Sequence, residues 1–236
     1  MAQAGPALAS GMETPAPLWH DRRTAGMALA TRLDRWRGDP GALVIGLPRG
    51  GVVVAAAVAG ALELPLASWA VRKLAQPEQP EVAIGALAPG GVLLWEAPYG
   101  GLHQHDGPLR RRLVHEQDRE LRRRQQLYGD PPRSALRART LLVVDDGVAT
   151  GLTVRAALLS LRQAQPAGLV LAVPVLDQRV QRRLEPLVDE LIALVAVPQI
   201  RAVGLWYRRF EPVSDAEVLS ILRAARPLDD MPLQEA

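Results

Sequence analysis

The sequence predicts an α/β fold, an open and mainly parallel twisted sheet flanked by helices. Short apolar runs alternate with segments whose apolar residues recur at helical spacing. Two of these runs, 42–47 and 140–144, lead directly into turns that contain glycine. With 236 residues, 48% of them hydrophobic, the chain can bury the core of one domain with a small appendage. We expect ligands at the carboxyl ends of the strands, where such sheets form a crevice.

The individual elements follow from the same patterns. Helical spacing predicts a first helix over 20–37, which a glycine- and proline-containing turn ends. A strand over 42–47, a turn over 48–51, a helix to residue 62 and a strand over 66–71 then form a right-handed βαβ unit. The second half is predicted to contain strands over 140–144, 169–175 and 191–197 and helices over 153–164, 178–187 and 215–226, the last capped by Ser214.

The middle of the chain, about 74–139, interrupts this alternation and is predicted to be an insertion. Residues 74–80 combine prolines and glutamines without periodicity, which indicates a mobile loop. Strands over 82–88 and 92–96 are predicted to form a hairpin, followed by a charged helix over 109–128 and a linker to residue 139. We expect one domain over 18–227, between a disordered tail over 1–17 and a second tail over 228–236.

Composition excludes several classes of protein. The chain has no cysteine, which excludes disulfides, cysteine nucleophiles and cysteine-ligated zinc. Its longest apolar run, 52–62, is too short to cross a membrane, and the first residues lack the basic start of a signal peptide. We therefore expect a cytoplasmic protein without a membrane partner. The formal charge of +3 suits anionic small molecules and nucleic acid equally.

The most informative stretch is the strand 140–144 together with the loop after it. The apolar strand ends in two carboxylates, Asp145 and Asp146, which a glycine-rich loop with two threonines follows. Such a loop before a helix binds anions through its amides and the positive end of the helix. The combination indicates a ligand that is both a phosphate and a polyol. A receiver domain also ends a strand in paired aspartates, but it needs a late lysine, and Lys73 is the only lysine here.

Val143-Val144-Asp145-Asp146-Gly147-Val148-Ala149-Thr150-Gly151-Leu152-Thr153 resembles the phosphoribosyl pyrophosphate signature of type I phosphoribosyltransferases. The resemblance implies that Asp145 and Asp146 hold the ribose hydroxyls. It implies that the loop wraps the 5-phosphate through Gly147, Val148, Ala149, Thr150, Gly151, Leu152 and Thr153. Over about 21–222 the chain is most similar to an uncharacterised bacterial branch of the family, which shares Pro-Arg-Gly-Gly, Val-Arg-Lys and Val-Gly-x-x-Tyr.

Two further motifs gain a meaning from this resemblance. Pro48-Arg49-Gly50-Gly51 is a tight turn by itself, and it resembles the pyrophosphate loop of the family, where Arg49, Gly50 and Gly51 would bind substrate. The family often has a non-proline cis peptide there, which we expect at Arg49-Gly50. Arg72-Lys73 resembles the pair that ends the second strand and meets the pyrophosphate, although a solvated pair is the alternative. Residues 74–80 would then be the catalytic lid.

A small hood over about 198–212 is the expected base-binding element. Aromatic residues are only 4% of the chain, yet several of them lie here. The resemblance implies that Val203, Trp206 and Tyr207 line the nucleobase site, and core packing is the alternative. The aspartate that 6-oxopurine enzymes carry after this segment is missing, so the acceptor base stays open.

The remaining charged groups have simpler interpretations. Residues 109–124 contain seven arginines and three acids, which indicates a solvated helix face. Phosphate-backbone binding is the alternative, but no aromatic residue interleaves the arginines, which argues against nucleic acid. His103 and His105 have no recognisable metal-ligand spacing and are interpreted as surface residues.

The sequence thus predicts a phosphoribosyltransferase-like enzyme. It would bind phosphoribosyl pyrophosphate with Mg²⁺ and transfer the phosphoribosyl group to a nitrogen base, with Asp145, Asp146, Arg72 and Lys73 as catalytic residues. The substrate would supply most of the Mg²⁺ ligands, and Asp145 or Asp146 is the candidate protein ligand. A non-catalytic sensor of phosphoribosyl pyrophosphate or a nucleotide is the alternative function. The acceptor base, the lid residue, the pathway and assembly into a homo-oligomer stay open.

Overall fold

A computed structural model describes residues 16–76, 79–96 and 107–225. Its strands are β1 Ala42–Gly46, β2 Leu66–Ser68, β3 Arg72–Gln76, β4 Gln79–Ala88, β5 Val92–Trp95, β6 Thr140–Val144, β7 Gly168–Asp177 and β8 Glu190–Val197. Its α-helices are α1 Arg22–Arg32, α2 Gly50–Leu62, α3 Pro108–Tyr128, α4 Arg133–Leu136, α5 Leu152–Arg162, α6 Gln178–Leu184 and α7 Asp215–Ala224. Short 3-10 helices cover Asp34–Trp36, Glu185–Leu187 and Val203–Trp206.

Five parallel strands form the main sheet in the order β2-β1-β6-β7-β8. This confirms the predicted α/β fold with an open parallel sheet. In the β1–β6 pair, Gly46 lies level with Val144. Because parallel strands point the same way, the turn after β1 and the acidic pair after β6 leave the sheet side by side. The register alone therefore brings the two predicted substrate loops together.

Both faces of the sheet are covered by apolar layers. Leu43 and Leu141 face α5 and the second sheet, whereas Val44 and Leu142 face α1, α2 and α7. Successive residues of a strand point to opposite faces, so continuous apolar runs such as those of β1 and β6 are what a sheet buried on both faces requires. Gly26 of α1 allows close packing on α2, because a Cβ there would lie 2.5 Å from the carbonyl oxygen of Val54. The sheet is thus a rigid support for the loops at its edge.

The second strand is shorter than predicted. The prediction of 66–71 is wrong beyond Ser68, where β2 ends. A carboxylate distant in sequence explains the difference, since Asp130 accepts hydrogen bonds from the Ser68 hydroxyl at 2.6 Å and from the Ala70 amide at 2.7 Å. The Ala70 amide is therefore diverted from strand pairing, and the chain leaves the main sheet.

The insertion contains a three-stranded antiparallel sheet, β3-β4-β5. The predicted hairpin is confirmed by the pairing of Ala88 with Val92. The prediction of a loop over 74–80 is wrong at both ends, because β3 continues to Gln76 and β4 begins at Gln79. Leu74 is fully buried against the small sheet and α3, which makes β3 a core strand. Residues 77–78, His103 and His105 lie outside the described residues.

The hood segment lies next to residues 18–19. Trp19 forms a parallel bridge with Tyr207, and the Leu18 amide donates to the carbonyl of Trp206 at 3.0 Å. The closing helix α7 begins as predicted, with the Ser214 hydroxyl accepting from the Glu217 amide at 3.1 Å. The predicted tails lie outside the described residues except for 16–17. No helix within the described ranges has the length and apolar character needed to cross a membrane.

Candidate active site

The glycine turn packs directly on the acidic pair. Gly51 lies so close to Asp145 that a Cβ there would be 2.7 Å from its Oδ1 atom, and a Cβ at Gly50 would overlap the carboxylate of Asp146. Only glycine fits at both positions. A cis peptide bond in this turn joins Pro48 to Arg49, so the expected position at Arg49-Gly50 is wrong by one peptide. The turn and the acidic pair are one structural unit, which the sequence predicted as two separate motifs.

Arg22 of α1 belongs to this unit and was missed from the sequence. Its Nε atom donates to Oδ2 of Asp146 at 2.8 Å, and its Nη1 atom donates to the carbonyl of Glu211 at 3.0 Å. The guanidinium also lies over the ring of Phe210, 3.7 Å from the centroid. Arg22 is only 9% exposed and lies at helical spacing from the buried Ala25 and Leu29. A charged residue on the apolar stripe of a helix was therefore the signal in the sequence.

Burial governs the charge of the acidic pair. Burial raises the pKa of Asp145 well above its ordinary value, and the neighbouring charge of Asp146 raises it further. Burial also raises the pKa of Asp146, but the hydrogen bond and charge of Arg22 oppose the increase. Arg22 therefore favours the ionised form of Asp146. The pair can accept hydroxyl donors or a cation without being fully charged in their absence.

The loop over 147–153, called the phosphate loop after its predicted role, is attached by hydrogen bonds to the end of β7. The Val148 amide donates to the carbonyl of Val175, and the Asp177 amide donates back to Val148, both at 2.9 Å. Gly151 has a φ of 71°, and α5 begins at the next residue. The amides of its first turn and the exposed Thr150 therefore lie at the positive end of a helix. This geometry would suit a phosphate, and the phosphate-binding role of 147–153 stays a prediction.

Asp177 fixes the neighbouring loops and was also missed. Its side chain is fully buried at the end of β7 and accepts hydrogen bonds from the amides of Arg179 and Ile200, both at 2.9 Å. It thereby joins the start of α6 to the chain that enters the hood. The signal in the sequence was an aspartate that closes an apolar strand, as Asp145 does.

The hood side chains occupy different environments. Trp206 and Tyr207 are 7% and 4% exposed, and both belong to a cluster with Trp19. The Tyr207 hydroxyl donates to the carbonyl of Asp146 at 2.5 Å, so this side chain holds the backbone of the acidic pair in place. Val203 lies against Gly147, while Leu205, which the sequence analysis did not single out, is 38% exposed. Contact between these residues and a nucleobase stays a prediction.

The three basic residues predicted to meet the pyrophosphate are Arg49, Arg72 and Lys73, and they differ in their surroundings. The Nη1 atom of Arg49 lies 3.6 Å from Oδ1 of Asp215, at the start of α7. Arg72 begins β3 rather than ending the second strand, and α3 holds it through Gln117, whose Oε1 atom accepts from Nε at 3.0 Å and from Nη2 at 2.7 Å. Lys73 is exposed. Arg49 and Arg72 are thus fixed near the turn, while Lys73 points to solvent.

Comparison with known proteins shows which family the chain resembles. Residues 25–191 match the family model of the phosphoribosyl transferase domain. A Mycobacterium tuberculosis protein (strain CDC 1551), provisionally named a phosphoribosyl transferase, is 38% identical over 213 residues, which are 88% of this chain and 47% of that protein. The chain thus spans about half the length of this curated relative.

A solved structure extends the likeness to the fold. The crystal structure of TT1426 from Thermus thermophilus is 41% identical, covers 86% of this chain and 97% of its own, and has a TM-score of 0.68. The family match spans the glycine turn, the acidic pair and the phosphate loop. The chain therefore belongs to the type I phosphoribosyltransferase family.

Proposed function

We propose that this protein binds Mg²⁺-bound phosphoribosyl pyrophosphate and transfers its phosphoribosyl group to a nitrogen base, releasing pyrophosphate. The observation that carries the proposal is the direct packing of the glycine turn on the acidic pair at the carboxyl edge of β1 and β6. A substrate with a 5-phosphate, a ribose and a pyrophosphate has three parts that need three neighbouring sites. The phosphate loop, the acidic pair and the glycine turn supply them in that order.

The ribose would bind to the oxygens of the acidic pair that the protein leaves unused. Oδ1 of Asp145 accepts from the Asp146 amide at 2.9 Å, and Oδ2 of Asp146 accepts from Arg22. Among the described residues, the second oxygen of each carboxylate has no protein donor. Two carboxylate oxygens on neighbouring residues would each accept a hydrogen bond from one of two adjacent ribose hydroxyls. The 5-phosphate would then meet the amides of the loop and the hydroxyls of Thr150 and Thr153.

The donor set suits magnesium held mainly by the substrate. The described residues contain no group of three or more histidines, cysteines, aspartates or glutamates that could hold a metal ion. Magnesium commonly binds through one or two carboxylates together with substrate phosphates and water. Asp145 or Asp146 would contribute an oxygen, and the ion would supply positive charge to the departing pyrophosphate.

The chain's own residues would manage charge during the transfer. The bond between the anomeric carbon and pyrophosphate breaks, a bond from that carbon to the base nitrogen forms, and the proton of that nitrogen passes to water. Positive charge that develops on the ribose would be stabilised by Asp145 and Asp146, and negative charge on the pyrophosphate by Arg49, Arg72 and the amides of the turn. The buried support beneath these groups keeps them in place before the substrate arrives.

Calorimetric titration with phosphoribosyl pyrophosphate and Mg²⁺ tests the proposal. We expect binding by the unaltered protein and at least about tenfold weaker binding by an Asp145→Asn, Asp146→Asn variant. Asp34→Asn is the matched control, because the Asp34 side chain is 64% exposed and remote from the turn. Equal binding by both variants would refute the ribose assignment.

Turnover then separates the enzyme from the sensor. Pyrophosphate release is measured over a panel of purine, pyrimidine and other nitrogen bases. Release with one base identifies the acceptor. Tight binding without release for any base would favour the non-catalytic sensor.

A further inference from the structure

The glycine turn borders helix α3, and cations line this border. Arg49 of the turn and Arg123 of α3 approach the same carboxylate, since Oδ1 of Asp215 lies 3.6 Å from Nη1 of Arg49 and Oδ2 lies 3.0 Å from Nη2 of Arg123. Tyr128 holds the carboxylate in place by donating to Oδ1 at 2.6 Å. Two guanidinium groups from distant parts of the chain therefore meet beside the turn.

Two further arginines belong to the same cluster. Arg72 is half-buried beside α3, and burial followed by the charge of Arg124 lowers its pKa, with Arg123 and Arg49 adding to the effect. Arg124 is only 14% exposed and donates from Nε to Glu120 at 2.9 Å. Arg72 is thus close enough to the other three guanidinium groups to be repelled by them, and the charge of Glu120 opposes this effect.

The cluster carries more positive than negative charge. Among the residues that the structure describes, the four arginines Arg49, Arg72, Arg123 and Arg124 have two acidic partners, Glu120 and Asp215. On the solvent side of α3, each of two arginines has an acidic partner of its own, Glu116 for Arg112 and Asp118 for Arg122. The predicted solvated face is therefore correct for that side of the helix and incomplete for the side that faces the turn. Arg72 and Arg124 are partly buried, whereas the Arg49 and Arg123 side chains are 41% and 48% exposed. Cations in excess at one place are stabilised by an anion of several charges.

We propose that Arg123 and Arg124 of α3 complete, with Arg49 and Arg72, one binding site for a diphosphate or longer phosphate chain. The inference rests on the proposed function for the identity of its natural ligand, the pyrophosphate end of the substrate. At 3.6 Å, the Arg49–Asp215 contact is long for an ion pair, so an incoming phosphate oxygen can replace it. The insertion thereby contributes binding residues as well as a cover for the domain.

Titration with inorganic pyrophosphate and Mg²⁺ tests this site. We expect Arg123→Gln and Arg124→Gln each to weaken pyrophosphate binding about tenfold, the loss of one charge-assisted hydrogen bond. Arg122→Gln, on the same helix with a 73% exposed side chain, should bind as the unaltered protein does. Binding of ribose 5-phosphate, which lacks the diphosphate, should stay the same in all three. Arg124→Lys should restore part of the affinity, and thermal unfolding checks that each variant folds.

The outcomes separate this inference from the proposed function. Equal pyrophosphate binding by the Arg122, Arg123 and Arg124 variants would overturn the inference, as would a parallel loss of ribose 5-phosphate binding. If phosphoribosyl pyrophosphate binding depends on the acidic pair but not on α3, the inference alone fails. If the protein binds pyrophosphate through Arg123 and Arg124 but does not bind phosphoribosyl pyrophosphate, the proposed function alone fails. Absence of both kinds of binding would overturn both.

Discussion

Replacing Arg22 with glutamine should destabilise the protein in a pH-dependent way. The substitution removes the cation 2.8 Å from Oδ2 of Asp146 and leaves that carboxylate buried beside Asp145. The side chains of Arg22 and Asp146 are only 10% and 16% exposed, so water replaces little of the lost interaction. The hydrogen bond to Glu211 and the contact with the Phe210 ring are lost as well.

The magnitude follows from these contacts. Removing one partner of a buried ion pair costs about 3–5 kcal/mol, and the slight exposure here favours the lower end. Asp146 can escape the cost by taking up a proton, because burial already raises its pKa. Without Arg22 the pKa of Asp146 rises further, so the penalty is largest at high pH and decreases as pH falls. We expect a loss of about 3 kcal/mol in the free energy of unfolding at pH 8 and about 1 kcal/mol at pH 5.

Urea unfolding followed by circular dichroism measures both values. Arg23→Gln is the control, since Arg23 is the exposed neighbour on the same helix and should change stability by less than about 0.5 kcal/mol. Combining Arg22→Gln with Asp146→Asn should show a coupling of about 2 kcal/mol at pH 8. Additive losses that do not change with pH would show that Arg22 acts only through packing.

Three other predictions concern buried carboxyls and close glycines. Burial raises the pKa of Asp130 to about 7. The stability that its protonated form provides is therefore fully present below about pH 4 and is lost as pH rises through 7. In urea unfolding at pH 5 and 8, Asp130→Asn should remove up to about 1.4 kcal/mol per pH unit of this pH dependence. Binding of phosphoribosyl pyrophosphate should release protons and strengthen with pH, because the ligand favours ionised Asp145; calorimetry in two buffers shows this, and Asp145→Asn should abolish it. Gly50→Ala should weaken ligand binding because the added Cβ overlaps Asp146. Gly60→Ala, on the open side of α2, should bind normally and raise the free energy of unfolding by about 0.5–1 kcal/mol. Unchanged pH profiles, or equal binding by the two alanine variants, would contradict these expectations.

Local sequence patterns were sufficient to predict most of the fold, together with the glycine turn and the acidic pair of the site. Apolar periodicity predicted the strands and helices, and glycines beside carboxylates predicted the turn and the acidic pair, because these features depend on neighbours in sequence. The shortened β2 could not be predicted, since the cause is Asp130, 60 residues after Ala70. Arg22 escaped notice for a similar reason, because its partner Asp146 is 124 residues away. An arginine in a helix indicates a solvated position until the residue opposite it is known.

The arginines of α3 show the same limit. Their spacing is typical of an exposed helix with alternating charges, and Arg112 and Arg122 agree with that interpretation. Arg123 and Arg124 differ only because Asp215 and Arg72, from distant parts of the chain, lie beside them. Which face of the helix meets the domain is a tertiary property that charge spacing does not contain.

The contact of Arg22 with the hood has a consequence for the evolution of these proteins. Arg22 lies before the region that the family model matches, and Phe210 and Glu211 lie after it. Residues from after the matched region thus hold Arg22, and Arg22 in turn holds Asp146. A relative that replaces Arg22 needs a new counter-ion for Asp146 and a different hood to go with it. We expect position 22 and positions 210–211 to change together across the family, while the motifs between them stay constant.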